Sequence, residues 1–396
     1  MANEKHDKGT SQQVLILLAS VLITVSLGSV HGYSIFLEQL ERQLEISRFA
    51  SSLVYSVALA SITLAVFAGH LFYRSFSPGF VAVLSLLLTV AGYLLATQVS
   101  GYWSFLLGYG LVFGFANGLG YGLTIYLCGR HFVENKGLAI GLVTAVYPLG
   151  AMITSFAAAP WLESLKVQQI LVYQGLAIAT CLLFAAAILL AVRLKKQQAI
   201  NDGTPVQAFT PLQTRLVVRL FFTYGFGVFA GLMIMGHASA MMSATGGSFQ
   251  FIALAIVAVS AGNIIGGFLG GGMSDNLAPR NAFWAVLGMS VASLAVLLFF
   301  RSPVGVFVGM TILGLAYGAY IVVVPTAVSN YFGPELSAKA YGLVFLAWGS
   351  AGILAPGFAG WLYEFVGYFP EAILLALFFT FGAIVLAKDL PDLDRS

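Results

Sequence analysis

Ala261-Gly-Asn263-Ile-Ile-Gly266-Gly267-Phe-Leu-Gly270-Gly-Gly-Met273-Ser-Asp275 is a glycine-rich apolar run that ends on a charge. Until Asp275 it holds no Lys, Arg, Asp or Glu, and Asn263 is its one amide. Apolar residues or glycines occupy every face, whereas a surface helix of a soluble protein has a polar stripe. With the apolar residues upstream from Phe249, the run is long enough to cross a bilayer, which takes roughly 20 residues. It therefore reads as a membrane span, with Asn263 near mid-depth and Gly267 one turn further on. A charge inside a span is expensive and usually marks the ion or substrate handled there. Neither this span nor the central part of any other carries one, so the architecture is open to reading and the cargo is unmarked.

The rest of the chain agrees with that reading. Of its 396 residues 59% are hydrophobic and only 8% are charged, against about a quarter charged in soluble domains. The 44 glycines fit, since glycine is frequent in membrane helices. Net charge is +3 with basic residues scattered in short loops, which argues against nucleic acid as a partner. Cys128 and Cys181 both fall in apolar spans, so no disulfide framework is expected. The polar stretch Met1 to Gln13 precedes an apolar run too long for a signal-peptide core, and that first span is expected to stay in the mature protein.

About twelve spans follow from the apolar runs: Val14–Leu37, Phe49–Tyr73, Gly79–Gln98, Tyr102–Leu127, Gly137–Pro160 and Val167–Val192, then Leu216–Ala244, Phe249–Met273, Asn281–Phe300, Val304–Asn330, Ala338–Trp361 and Tyr368–Ala387. Residues 1–193 form a first six-span half and 215–396 a second. Between them 194–214 is a polar linker with Lys195, Lys196, Asp202, Gly203 and Pro205. Basic residues set the orientation. Arg74, Arg130, Lys136, Arg193, Arg215, Arg219, Arg280 and Lys339 fall on the side of the N-terminus, and Arg42, Arg48, Lys166 and Arg301 on the other. Counted over all 18 basic residues, including Lys5, Lys8, Lys195, Lys196, Lys388 and Arg395 on the first side, the split is about fourteen to four. Both termini are expected to be cytoplasmic, in a cell membrane of the bacterial inner-membrane type.

The two halves repeat each other at an offset of about 200 residues. Gly114, Ala116, Gly118 and Phe132 recur as Gly314, Ala316, Gly318 and Phe332, and Trp161-Leu162 as Trp361-Leu362. Parallel six-helix halves of this kind are the architecture of the major facilitator superfamily. The fold class expected is all-α and integral to the membrane, with two pseudo-symmetric six-helix bundles. After the eighth span, Gly271-Gly-Met273-Ser-Asp275-Asn276-Leu-Ala-Pro-Arg280 resembles that superfamily's G-x-[LM]-[AS]-D-x-x-G-x-R loop signature. By that resemblance Asp275 and Arg280 cap helix ends and latch the cytoplasmic gate, with Arg130 and Lys136 on the same side; a solvated turn with incidental charges is the alternative. The counterpart Gly69-His70-Leu-Phe-Tyr73-Arg74 has Tyr73 in place of the aspartate.

A narrower set of motifs is similar to the oxalate/formate antiporter family, relatives of the monocarboxylate transporters. It comprises Gly28-Ser-Val-His31-Gly-Tyr33-Ser34-Ile-Phe36, Gly118-Leu-Gly120-Tyr121-Gly122, Lys136-Gly137-Leu-Ala-Ile-Gly141, Gly231-Leu-Met-Ile-Met-Gly236-His237, Tyr331-Phe332-Gly333 and Tyr341-Gly342-Leu343 through Trp348-Gly349. The resemblance covers most of the chain and implies a small organic acid as cargo, by proton symport or anion exchange. That family's eighth span reads N-x-x-G-R, its arginine gripping a substrate carboxylate. Here Asn263-Ile-Ile-Gly266-Gly267 keeps the Asn and has Gly267 in the arginine's place. The lysine of the oxalate branch's eleventh span is absent too. A dicarboxylate without its guanidinium has no strong partner. A monocarboxylate held by neutral donors, a proton-neutralised acid and an uncharged solute all stay open.

Cargo sites of the superfamily lie near the midplane, which makes Asn117, Tyr121, Asn263 and Tyr317 candidates, with Phe345 and Trp348 as an apolar wall. Each Asn serves equally well as interhelical glue, and each aromatic as plain packing. His31 and His237 lie in the outer part of the first spans of the two halves and are candidates for carrying a coupling proton; a neutral imidazole bonded to a backbone carbonyl is the alternative. Gly110, Gly114, Gly118 and Gly122 form a stripe on the fourth span, and Gly262, Gly266 and Gly270 one on the eighth. Such stripes let helices approach closely, and Pro148, Pro325 and Pro356 are candidate bends. No nucleotide motif, metal cluster or nucleophile constellation is found. The expectation is a monomeric secondary transporter in the lipid bilayer with a small-molecule substrate, no cofactor and no enzymatic activity. A non-transporting sensor on the same scaffold is a weaker alternative.

Overall fold

The computed structural model describes residues 2–46, 48–98, 101–132, 134–158, 161, 164–194, 208–243, 245–246, 249–366 and 370–392. Lys195, Lys196, Asp202, Gly203 and Pro205 of the expected linker lie outside the described residues, as do Leu162 and Arg395. The described elements are all helical.

The first span is α1 (Ala2–Leu27) continued by a 3-10 segment, Gly28–Phe36, and followed by a short α2 (Leu37–Leu44). The second and third are α3 (Arg48–Ser75) and α4 (Pro78–Thr97). The fourth is composite: α5 (Tyr102–Phe105), a π-helical run Leu106–Phe113, and α6 (Gly114–His131). The fifth breaks at Val146 into α7 (Lys136–Ala145) and α8 (Tyr147–Ala158), two residues ahead of Pro148, which has no N–H to continue the ladder to the Thr144 carbonyl. Then come α9 (Val167–Ala191), α10 (Pro211–Ser243), α11 (Phe249–Asn276), α12 (Pro279–Phe299), α13 (Pro303–Val366) and α14 (Pro370–Ala387). Helices α4, α10, α12, α13 and α14 all begin on proline, where its missing N–H costs nothing.

Eleven helical stretches among the described residues are long and apolar enough to cross a membrane. One of them, Pro303–Ala355, has 53 residues, more than twice what a crossing needs. Gly333 turns it, at φ 64° and ψ −179°, a region that only glycine occupies readily. It thus supplies the tenth and eleventh spans, and the expected twelve are present. Pro325, a candidate bend, is passed within helical torsions. Leu87, Leu94, Phe184 and Phe378 are exposed, on the surface that lipid would cover.

The chain separates into two compact units, Met1–Val133 with Val146–Ala208, and Glu134–Ala145 with Phe209–Ser396. In the first, the glycine stripe of the fourth span lies on α3. A Cβ at Gly114 would come within 2.8 Å of the Ala58 carbonyl, and one at Gly118 would run into that of Ile62. Gly122 instead makes room for the Tyr73 hydroxyl, which donates to the Leu119 carbonyl at 3.1 Å. Tyr73, standing where the loop signature has aspartate, is thus an internal tie, 4% exposed. In the second unit Gly262 and Gly270 press on the carbonyls of Thr311 and Ala319 at 2.6 and 2.5 Å, and Gly266 on that of Leu315. In return Gly314 and Gly318 press on Val259 and Asn263. The tenth span therefore packs on the eighth as the fourth packs on the second, glycine against carbonyl every four residues.

Two further features belong to the second unit. Helix α7 lies on α11 through small residues. A Cβ at Gly141 would be 2.9 Å from the Gly267 carbonyl, one at Gly271 2.9 Å from that of Gly137, and one at Gly267 2.6 Å from the Ala145 Cβ. The segment after α14 is stapled back onto earlier elements. Arg219 donates to the Asp389 carbonyl and pairs with its carboxylate at 3.4 Å. The Tyr331 hydroxyl donates to the Pro391 carbonyl at 2.8 Å, Arg280 pairs with Asp392, and Leu390 is 2% exposed.

Candidate functional site

In the first unit the α-helical ladder of α1 gives way at Leu27 to the 3-10 segment. Asn117 of α6 meets that junction: its amide donates to the Leu27 carbonyl at 2.6 Å. Its own carbonyl accepts from the Tyr147 hydroxyl at 2.8 Å, and Asn117 is fully buried. Asn117 thus ties the first, fourth and fifth spans together. Its partner Tyr147 is half-buried.

His31 stands on the 3-10 segment rather than on a regular α-helix. Gly28, Gly32 and Gly150 let that segment lie directly on α8; a Cβ at Gly32 would meet Thr154 at 3.1 Å. The imidazole is edge-on to Tyr147 at 5.4 Å and to Tyr55 at 6.0 Å between ring centroids. Its Nδ1 is 2.5 Å from the Tyr55 hydroxyl. Tyr55 in turn stacks on Tyr33 at 5.8 Å, and Tyr33 packs on Tyr109 of the π-helical run at 5.3 Å. Tyr121 lies 5.3 Å from Tyr147. Three of the residues singled out in the sequence, His31, Asn117 and Tyr121, therefore gather around Tyr147, and His31 is held by Tyr55. The sequence reading missed both tyrosines.

In the second unit the Trp348 indole donates to the Tyr317 hydroxyl at 2.9 Å, and Phe345 stacks on Trp348 at 5.0 Å. All three are at most 6% exposed. Gly231 of α10 is bare because a Cβ there would enter the Tyr317 ring. The two units thus carry matching bonds, Tyr147 to Asn117 and Trp348 to Tyr317, at positions close to the repeat offset. That offset was the signal that could have led from Trp348 to Tyr147. Asn263 is 7% exposed, with its backbone against Gly318 and no side-chain hydrogen bond among the described residues. His237 is half-buried toward the end of α10.

The residues assigned to the gate separate into distinct contacts. The two carboxylate oxygens of Asp275 accept from the amides of Gly137 and Leu138, both at 2.8 Å. Asp275 therefore caps α7, where the helix dipole favours an anion. Lys136 donates to Asn330 at 3.2 Å. Arg130 donates to the Tyr126 hydroxyl at 2.8 Å, and Arg280 pairs with Asp392. Gly267, facing Ala145, is covered by α7. Among the described residues no group of three or more His, Cys, Asp or Glu side chains is placed to hold a metal ion.

Comparison with known proteins matches this architecture. The family model described as Major Facilitator Superfamily matches residues 16–238 and 217–394. YhjX of Escherichia coli (strain K12), an uncharacterized MFS-type transporter, is 28% identical over 350 residues, covering 86% of this chain and 85% of its own. Monocarboxylate transporter 12 of Mus musculus is 24% identical over 345 residues, 76% of this chain and 69% of its own. The oxalate:formate antiporter of Oxalobacter formigenes is 22% identical over 387 residues, 94% of this chain and 90% of its own. Among solved structures, the human organic anion transporter MFSD10 shares the fold with a TM-score of 0.76, at 13% identity over 95% of this chain and 99% of that one. Twelve spans, glycine-packed repeats and a family model covering nearly all of the sequence give one conclusion: this chain is an integral membrane transporter of the major facilitator superfamily.

Proposed function

We propose that the chain is a secondary transporter of a small monocarboxylate-type organic acid, working by alternating access with proton symport or anion exchange. The observation that carries this reading is the pairing of neutral hydrogen-bonding groups among aromatic rings. His31 with Tyr55 and Tyr147 with Asn117 form one set; Trp348 with Tyr317 forms the other. Such groups can receive one carboxyl group and an apolar remainder without a fixed counter-charge. The names of the curated relatives support the same class. In this reading the halves 1–193 and 215–396, joined by 194–214, rock about the midplane as a monomer in a bacterial inner membrane. Both termini are cytoplasmic. The α7–α11 contact and its Asp275 cap belong to the cytoplasmic gate, and His31 and His237 are the candidate proton carriers. Uptake into proteoliposomes of a panel of labelled acids and neutral solutes tests the proposal. Movement of, or competition by, a monocarboxylate is expected; a panel in which none is moved and none competes ends the organic-acid reading.

A second reading is favoured by one observation. The place of the family's carboxylate-binding arginine is not merely vacant: Gly267 abuts Ala145. A neutral, zwitterionic or apolar solute has no need of that arginine. In the same panel, such a cargo is taken up while the acids are ignored.

A further inference from the structure

We infer that Tyr55 is a positioning residue: it fixes the His31 imidazole with Nδ1 occupied, so that the Nε2 N–H is the donor offered to an oxygen acceptor of the cargo. This rests on the proposed function, in which His31 meets the cargo.

The Tyr55 hydroxyl and His31 Nδ1 are 2.5 Å apart. An imidazole nitrogen is far more basic than a phenol oxygen, so the better bond between them is O–H donating to Nδ1. The ring's own hydrogen then belongs to Nε2. This contact is the one side-chain hydrogen bond that either residue makes among the described residues, which leaves Nε2 without a bond among them. The ring itself has little freedom. It is edge-on to Tyr55 and to Tyr147. Tyr55 is held from behind, nearly parallel to Tyr33 with 6° between the ring planes. Tyr33 is 2% exposed and packs in turn on the fully buried Tyr109. Tyr33 and Tyr109 are buried, whereas His31, Tyr55 and Tyr147 are half-buried. A donor fixed in this way suits a carboxylate or carbonyl oxygen, and it discriminates against a cargo that presents only donors at that point.

The test combines a spectroscopic and a transport readout on the full-length protein in lipid. With 15N-labelled histidine, solid-state NMR distinguishes the two neutral tautomers, and the His31 signal is assigned by its loss in His31→Gln. The Nε2–H form is expected in the wild type, with a mixture of tautomers in Tyr55→Phe, a change that removes one oxygen and keeps the ring stack. For uptake of [14C]lactate and [14C]acetate, Tyr55→Phe is expected to raise KM about tenfold with Vmax retained, and His31→Gln with Tyr55→Phe to be no worse than His31→Gln alone. An Nδ1–H wild type, or a Tyr55→Phe protein with an unchanged tautomer, overturns the inference. So does a wild-type KM in Tyr55→Phe when His31→Gln is impaired. If His31→Gln leaves uptake of both acids unchanged, the placing of His31 at the cargo fails and the inference fails with it.

Discussion

At Gly267 the lack of a side chain is a packing requirement. With 2.6 Å between its would-be Cβ and that of Ala145, Gly267→Ala overpacks the α7–α11 contact and is expected to cost about 1–3 kcal/mol. Thermal unfolding in detergent measures this, and Ala145→Gly on the same background should recover part of the loss. Gly267→Arg should abolish uptake rather than confer anion binding; a folded variant with raised anion affinity would contradict the packing account. At Trp348 the expectation is smaller. Trp348→Phe removes the bond to Tyr317 and should destabilise by about 0.6–2 kcal/mol, read from the same unfolding curves. Only part of this was legible in the sequence. Asn117 and Tyr317 stand out as polar residues at mid-span, but the partners of Asn117 lie 90 and 30 residues away, and no local period encodes such a distance. Tyr55 and Tyr147 were hidden for a simpler reason: the chain has 17 tyrosines, and an amphipathic ring in a membrane helix draws no notice.

At the scale of the element, the spans were legible because hydrocarbon thickness fixes their length and the prolines at their starts mark their ends. The glycine stripes were legible as candidates for close approach, and the carbonyls they face give them an energetic meaning. Gly118→Ala and Gly266→Ala each drive a methyl group into a backbone carbonyl, which a rotamer change cannot relieve. Each should lower stability by about 1–3 kcal/mol, whereas Gly272→Ala, which meets nothing within 4 Å, should be close to neutral. Equal unfolding temperatures for all three variants would remove the stripe's structural role. The 3-10 segment Gly28–Phe36 and the π-helical run Leu106–Phe113 left no trace in the sequence reading. Neither winding has a composition of its own; both follow from tertiary contacts, the first with α8 and the second with α4.

For the molecule as a whole, the change most exposed to test is Asp275→Asn. It keeps the shape and one acceptor for the α7 amides but removes the charge that suits a helix N-terminus, a loss of about 0.5–2 kcal/mol. If the α7–α11 contact belongs to a gate, the variant should spend less time with that contact made. Amide hydrogen exchange along α7 would then be faster than in the wild type; an unchanged rate would leave Asp275 a cap without influence on motion. The sequence indicated that Asp275 is a helix-capping residue but not which helix it caps, since the recipient lies 138 residues earlier. The staple formed by Asp389, Pro391 and Asp392 has a consequence of another kind, in the order of synthesis. Arg219 is made 170 residues before the aspartate that receives it, and Arg280 likewise precedes the twelfth span. Neither ion pair can form until that span has left the ribosome and reached the bilayer. Until then both arginines must be accommodated by water or lipid headgroups. Closing the staple is therefore an event of late assembly, and a nascent chain halted before Asp389 would lack it.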